Sequence, residues 1–302
     1  MKRTGQILLA LIALIALFAP LLAPFAPDQR FPDLLYAPPS PIHLGDDAHS
    51  GLHVHGWRLV NRLERTFVED PALDGPLLLL GADAYGRDIF SRMLHGARIS
   101  LGLAAIATLF AMLIGALIGS IAGYAGGWTD EILSRGSDFV LVLPVTYVVL
   151  ALRAVTPLVL PPREIFLLLA VIFALIGWPV LARSVRGIIA SERQREYVMA
   201  GRALGASAPR LLLRHLLPSA RGQLLVQGTL LLPAFIVAEA TLSYVGLGFP
   251  DAVPTWGTML QGASTGTVIA ESPWMLAPAG AIFLVVLAVN LTVQGQGVEL
   301  GK

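Results

Sequence analysis

Residues 262–266 read Gly-Ala-Ser-Thr-Gly, the spacing at which hydrolases present a nucleophilic serine. That chemistry needs a strand before the motif, a helix after it and a His/acid pair nearby. The Gly- and Thr-rich surroundings show none of these, so the match is read as chance. A second group is richer in donors. "HLGDDAHSGLHVHGW" gathers His43, His49, His53 and His55 with Asp46 and Asp47, and His95 follows further on. Imidazole and carboxylate suit a first-row divalent cation. Their spacing fits no standard metal motif, however, and Pro and Gly surround them, so a polar loop and no metal are expected. Glu239 stands inside an apolar run, where an ionised carboxylate costs at least ~2.5 kcal/mol. It either lines a translocation path or braces two helices through a Ser, Arg or backbone partner. Arg153, near the end of another run, can reach outward and needs no function.

Other chemistry is excluded. The chain has no Cys, which removes disulfides, thiolate metal sites and cysteine nucleophiles. It has no G-x-x-x-x-G-K-[ST] loop, since Gly301-Lys302 lacks both the earlier Gly and the Ser/Thr. No enzyme activity and no cofactor are expected, and any ATP-driven step needs a separate subunit.

The elements that would position these groups are apolar. Of 302 residues 55% are hydrophobic and 14% charged, with mean hydropathy +0.72. Soluble domains run nearer ~45–50% and ~25%. Net charge +1 points to no nucleic acid. Six runs of about the length needed to cross a bilayer lie near 7–26, 99–123, 139–158, 165–184, 224–248 and 275–294. They lack the alternation of barrel strands, so an all-α polytopic membrane protein with six transmembrane helices is expected. The first run is long for a signal peptide, and Pro20, Pro24 and Pro27 interrupt its small residues, so it reads as an uncleaved anchor.

Charge orients the spans. Residues 183–222 hold Arg183, Arg186, Arg193, Arg195, Arg202, Arg210, Arg214 and Arg221 against only Glu192 and Glu196, whereas 249–274 contain no Lys or Arg. The positive-inside rule makes the first segment cytoplasmic and the second external, with both termini in the cytoplasm. The organisation expected is an anchor at 1–27, an external loop at 28–98 and a core at 99–294. That core carries a cytoplasmic loop at 185–222, and a tail follows at 295–302. Gly115, Gly119 and Gly123 form a smooth stripe where another helix can approach. Pro144, Pro179 and Pro233 would kink their helices.

The stretch "EYVMAGRALGASAPRLLLRHLLP" (196–218) breaks this apolar pattern. Glu196, Ala200 and Ala203 share one helical face, and Gly205 suits a left-handed helix end. Ser207 is placed to cap a second helix with Pro209 in its first turn. Leu211, Leu212, Leu213, Leu216 and Leu217 would give that helix an apolar face, and Pro218 with Gly222 would close the unit. A basic, small-faced helix–turn–helix on the cytoplasmic side is the result, shaped to enter a cleft on a partner.

This stretch resembles the EAA loop of binding-protein-dependent ABC importer permeases. Glu196, Ala200, Gly205, Leu217 and Pro218 match, while Gly201 replaces the second Ala and His215 stands at the Ile position. "LGADAYGRDIFSRMLHGARISL" (80–101), "AGYAGGWTDEILSRGSDFVLVLP" (122–144) and "EATLSYVGLGFPDAVPTWGTML" (239–260) are similar to segments of the dipeptide/oligopeptide/nickel permease family, C-type subunit. The family's usual ending "G-D-x-L-R-D-x-L-D-P-R" is replaced by "NLTVQGQGVELGK".

The resemblance implies a bacterial inner-membrane subunit that forms the path for di- or oligopeptides, with nickel as the alternative cargo. It implies a second homologous permease subunit, two ATP-binding subunits and an external solute-binding protein. Glu196, Ala200, Gly201, Gly205 and Pro218 would form the docking loop, with Arg193, Arg195 and Arg202 complementing acidic groups on the ATPase. A proton- or sodium-coupled transporter would want more membrane carboxylates and inverted repeats. The chain shows one such carboxylate and no clear repeat.

Overall fold

The computed structural model describes residues 2–44, 52–61, 65–144, 147–148, 151, 160–264 and 266–300. The chain divides into two compact units. One is built on Leu103–Ala238 with short terminal pieces, the other on Gln6–Gly102 and Glu239–Ala288.

Helix α1 (Lys2–Leu17) stops short of the expected 7–26 run, and α2 (Ala19–Leu22) adds one more turn. Pro20 sits in the first turn of α2, where its missing N–H breaks no bond. Ala23 is extended ahead of Pro24, as the residue before a proline must often be.

The expectation of an all-α chain is corrected in the loop that follows. Strands β1 (His43–Leu44) and β2 (Leu52–His53) pair antiparallel, as do β3 (His55–Asn61) and β4 (Thr66–Asp74). The cause is local alternation. In "TFVED" the Phe67 and Glu69 side chains are half-buried, while Thr66 and Val68 face out.

The long helices are α3 (Ile89–Ala125), α4 (Gly127–Val142) and α5 (Pro162–Glu192), followed by the short α6 (Glu196–Ala203) and α7 (Ala208–Leu211). A π turn (Leu212–Leu216) joins α7 to α8 (Leu217–Tyr244). Then come α9 (Trp256–Gly262), α10 (Gly266–Glu271), a 3-10 turn (Pro273–Leu276) and α11 (Ala277–Leu300). Among the described residues four helical stretches are long and apolar enough to cross a membrane: Ile89–Ala125, Pro162–Glu192, Ala208–Tyr244 and Pro273–Gln294. They hold the second, fourth, fifth and sixth expected runs. The third, 139–158, overlaps the end of α4 and otherwise lies mostly outside the described residues, as does Arg153. Pro144 lies beyond α4, whereas Pro179 and Pro233 lie inside α5 and α8.

Within the segment 185–222, α5 runs on to Glu192 and α8 begins at Leu217. Helices of 37 and 31 residues outrun a ~30 Å hydrocarbon layer at ~1.5 Å per residue, so polar turns continue the same helices.

The glycine stripe on α3 receives α5. A Cβ built on Gly115 would lie 2.6 Å from the Leu181 Cβ and 2.9 Å from the Trp178 carbonyl oxygen. On Gly119 it would meet the Ala182 carbonyl oxygen, and on Gly123 it would be 2.7 Å from that of Arg186. Backbone touches backbone along two turns. Beside it, α4 is tied to α5 by ion pairs from Asp130 to Arg186 and from Asp138 to Arg183.

In the other unit, residues 80–101 build a buried charge cluster at the start of α3. The Asp83 carboxylate accepts from the backbone N–H of Tyr85 and Arg87 and from Arg87 Nε at 2.7 Å. Arg87 Nη2 reaches Asp251 Oδ2 at 3.1 Å. Arg92, 1% exposed, donates to the carbonyls of Pro27 and Asp251. Asp88 caps α3 by accepting from the Ser91 N–H at 2.7 Å, and burial pushes its carboxyl above the ordinary range.

The glycine contacts lead to a stability test. Gly119→Ala should destabilise the protein in detergent by about 1–3 kcal/mol, because backbone must shift to admit the methyl. Gly102→Ala, with nothing within 4 Å of its built Cβ, should be neutral or stabilising. Thermal melts of both variants read the difference, and equal melting would show that the α3–α5 contact is loose.

Candidate functional site

The basic segment is a helix–turn–helix with a hard base and a bare tip. Helix α6 begins at Glu196, whose charge in the first turn complements the helix dipole. It ends in a Schellman turn. The Ala206 N–H donates to Gly201 O and the Gly205 N–H to Arg202 O, both at 3.0 Å, with Gly205 at φ +82°. Ser207 is extended at the cap position of α7, and its carbonyl accepts from the Leu211 N–H. Its side chain makes no capping bond, which corrects that part of the expectation.

Pro218 and Gly222 do not close the unit, because the helix runs through both of them. A proline inside an α-helix removes one N–H and crowds the carbonyl four residues back. The π turn just before it widens the ladder, with the Leu217 N–H donating to Leu212 O, and lets the helix pass.

Val198, Leu211 and Leu216 are buried in one cluster with Val185 and Ile189 of α5 and Ala220 of α8. Leu213, expected on the apolar face, is 69% exposed. Of the residues singled out by sequence, Glu196, Ala200 and Gly205 are exposed, and Gly201 faces inward with its built Cβ 3.0 Å from Leu211 Cδ2. Leu204 is 89% exposed, which places a large apolar side chain at the tip.

The three arginines are engaged within the chain. Arg193 Nη1 donates to the Tyr124 carbonyl at 3.0 Å and packs on Gly126, where φ is +68°. Arg195 pairs with Glu192 at 3.0 Å, and Arg202 lies over the Tyr124 ring at 4.9 Å. Sequence reasoning did not pair Asp130 with Arg186, which ties α4 to the stretch of α5 that carries Val185 and Ile189. A hydrogen bond from the Arg186 guanidinium holds the Asp130 carboxyl below its ordinary range. The signal was there in acids at 130 and 138 facing arginines at 183 and 186.

Glu239 is fully buried. Its Oε1 accepts from Ser243 Oγ at 2.7 Å and its Oε2 from Ser100 Oγ at 3.1 Å. Ser100 in turn accepts from the Trp256 N–H, and Ser243 from the Phe249 N–H, both at 3.3 Å. The carboxylate thus joins α3, α8 and the segment 249–256 that folds back beside them. Gly257 permits that return, since a Cβ there would lie 2.6 Å from Ala240 Cα. Thr255 and Thr258 form a capping box that starts α9.

The 262–264 stretch follows helix α9, not the strand that a nucleophile elbow needs. Thr265, Asp46, Asp47 and His49 lie outside the described residues. His95 bonds within its own helix, its Nδ1 donating to the Ser91 carbonyl at 2.9 Å.

Compared with known families, residues 115–295 match binding-protein-dependent transport system inner membrane components. The chain belongs to this family. Residues 3–39 also match the N-terminal transmembrane domain of oligopeptide transport permease C, so this is a C-type permease of the inner membrane. It is 36% identical over 295 residues to the oligopeptide transport system permease protein OppC of Bacillus subtilis, covering 96% of this chain and 82% of the relative. The di/tripeptide transport system permease protein DppC of Pseudomonas aeruginosa is 32% identical over 292 residues, covering 96% and 84%. The glutathione transport system permease protein GsiD of Pectobacterium atrosepticum is 36% identical over 234 residues, covering 77% and 75%. The permease so identified spans the membrane several times and is no catalytic subunit.

Glu239 separates bracing from transport. Glu239→Gln keeps an acceptor and a group the serine hydroxyls can satisfy, and should leave stability within about 1 kcal/mol of the parent. Glu239→Leu leaves two buried hydroxyls without their acceptor and should cost about 1–3 kcal/mol. Denaturation in detergent reads both. A Gln variant that is fully stable yet transports nothing would assign the carboxylate to the path.

Proposed function

We propose that this permease is one half of the membrane channel of an ATP-driven peptide importer. Its partners are a homologous permease subunit, two ATP-binding subunits and an external peptide-binding protein, and its termini are cytoplasmic with six crossings in all. The observation that carries the reading is the helix–turn–helix at 196–211. Its base is clamped to α5 and α8 by buried Val198, Leu211 and Leu216, while its outer face is left exposed. The names of the relatives, which include oligopeptide, di/tripeptide and glutathione systems, support a peptide cargo.

In this reading α6 is the coupling helix. Glu196, Ala200, Gly205 and Leu204 meet the ATP-binding subunit, and Gly201 lets α6 seat on Leu211. Arg195 and Arg202 are exposed enough to meet acidic groups there as well. Arg193 points back at Tyr124 and anchors the loop instead, and Pro218 acts at the root of α8 through the π turn. Glu239 is a brace, supported by its complete burial and its two serine donors. ATP-driven movement of the ATPases shifts the permease only through contacts that differ between its two states.

The test is reconstitution with the ATPases. Gly205 has nothing within 4 Å of its built Cβ, so Gly205→Val introduces backbone strain of roughly 1–3 kcal/mol at the tip and no clash. Glu196→Lys reverses a charge on the exposed face. Both variants should insert at near-normal levels, lose peptide uptake, and either fail to hold the ATPases or hold them without peptide-stimulated hydrolysis. Wild-type uptake should survive a protonophore at constant ATP. Normal uptake by both variants would remove α6 from the coupling role, and uptake that follows the proton gradient would replace ATP as the driver.

A further inference from the structure

We propose that His43, His55 and Glu69 in the loop before α3 form a binding site for one borderline divalent cation of the zinc class. The inference stands apart from the transport reading and rests on the strand pairing of this loop alone.

Register brings the donors together. His43 of β1 lies directly opposite His53 of β2, so their side chains share a face. Val54 breaks the strand between β2 and β3, and the ring contacts place His53 and His55 beside His43, at 5.8 and 4.6 Å between centroids. Trp57 in turn lies opposite Glu69 of β4, which adds the carboxylate. No spacing motif announces this, because the donors sit on three strands, and only the folding of the loop makes them neighbours.

The distances agree. His43 Nε2 is 2.5 Å and His55 Nδ1 2.9 Å from the same Glu69 Oε1. One ligand atom from each of the three residues lies within 4.8 Å of the others. Donors around tetrahedral zinc at ~2.0–2.1 Å stand about 3.3 Å apart, so small side-chain rotations admit the ion. His55 turns its other nitrogen to His53, with Nε2 to Nε2 at 3.1 Å. Such a bond on the far side of a ligating imidazole fixes its tautomer and aims the lone pair at the metal. The His43 and His55 rings are stacked at 4.6 Å, a close pairing of two bases that a shared cation makes favourable. His55 is buried, while His43 and Glu69 are partly open.

Two nitrogen donors and one oxygen favour zinc, nickel or copper over magnesium or calcium, which take oxygen ligands. The site also has work to do. Two-stranded pairs are marginal in water, and β1–β2 is only two residues long. A cation held by β1, β3 and β4 ties the two strand pairs to each other.

The test is zinc titration of the full-length permease in detergent by calorimetry. Wild type should bind one equivalent near pH 7.5. His43→Asn and Glu69→Gln should each weaken binding by at least about a hundredfold, and His53→Asn by about tenfold, the scale expected for an outer partner. His95→Gln is the control and should bind as wild type. Because a ligand variant can perturb the strands, wild type carries a second arm. Its affinity should fall steeply on acidification to about pH 5.5, since imidazole ligands must be neutral, and millimolar Mg2+ should not displace the zinc. Absence of a bound equivalent, unchanged binding in the His43 and Glu69 variants, pH-independent binding, or displacement by Mg2+ would each overturn the site.

Discussion

Close approach of α3 and α5 at three glycines is the constraint from which the position of the helix–turn–helix at 196–211 follows. Lipid tails are as apolar as leucine, so apolar surface alone gives two helices little reason to associate in a membrane. Contact must come from packing, and packing is best where no side chain intervenes. At Gly115, Gly119 and Gly123 the neighbour is backbone or a Cβ of α5, spread over Trp178 to Ile189. This contact sets both the depth and the rotation of α5. The end of α5 then carries Val185 and Ile189 into the cluster under α6. A one-turn slip on α3 would move the helix–turn–helix by about 5.4 Å.

Charged groups finish what the glycines begin. Asp130 and Asp138 hold α4 against the polar end of α5, and Arg193 closes over Gly126 at the α3–α4 corner. That corner requires positive φ at both Gly126 and Gly127, which larger residues resist. The other unit solves a similar problem with buried polar groups. Asp83, Arg87, Arg92 and Asp251 satisfy one another and nearby carbonyls, and Glu239 is satisfied by two serines. Leaving any one of these without partners would cost more than the contact itself contributes, which makes each network cooperative.

Much of this was legible in the chain. Apolar runs located the long helices, the 115/119/123 stripe named the packing face, and Gly205 marked the helix end that the Schellman turn confirms. What the pattern did not show depended on the geometry of the folded chain. Pro218 looked like a terminator because the compensating π turn is invisible to pattern. Arg193 and Arg202 meet Tyr124, about seventy residues away in the chain, which no local pattern announces. The strands at 43–74 were hidden by a composition dominated by helices, and with them the meeting of His43, His55 and Glu69. Glu239 was recognisable as a buried carboxylate, yet only the fold identifies Ser100 as one of its donors.

The division between clamped base and exposed tip determines how this unit can transmit force. A helix free to tilt on its base would absorb a partner's movement locally. Here Val198, Leu211 and Leu216 are 0–2% exposed and interlock with α5 and α8, so displacing α6 means displacing those helices or breaking the cluster. Burying such side chains is worth roughly 1.5–3 kcal/mol each, several times thermal energy. The π turn runs through this cluster, with Leu216 inside the turn and Ala220 beyond it in α8, and its ladder of five-residue bonds is less ideal than its neighbours. In the proposed coupling role, motion delivered at Leu204 and Gly205 would pass through a stiff base that holds the π turn at 212–216 and the start of α8.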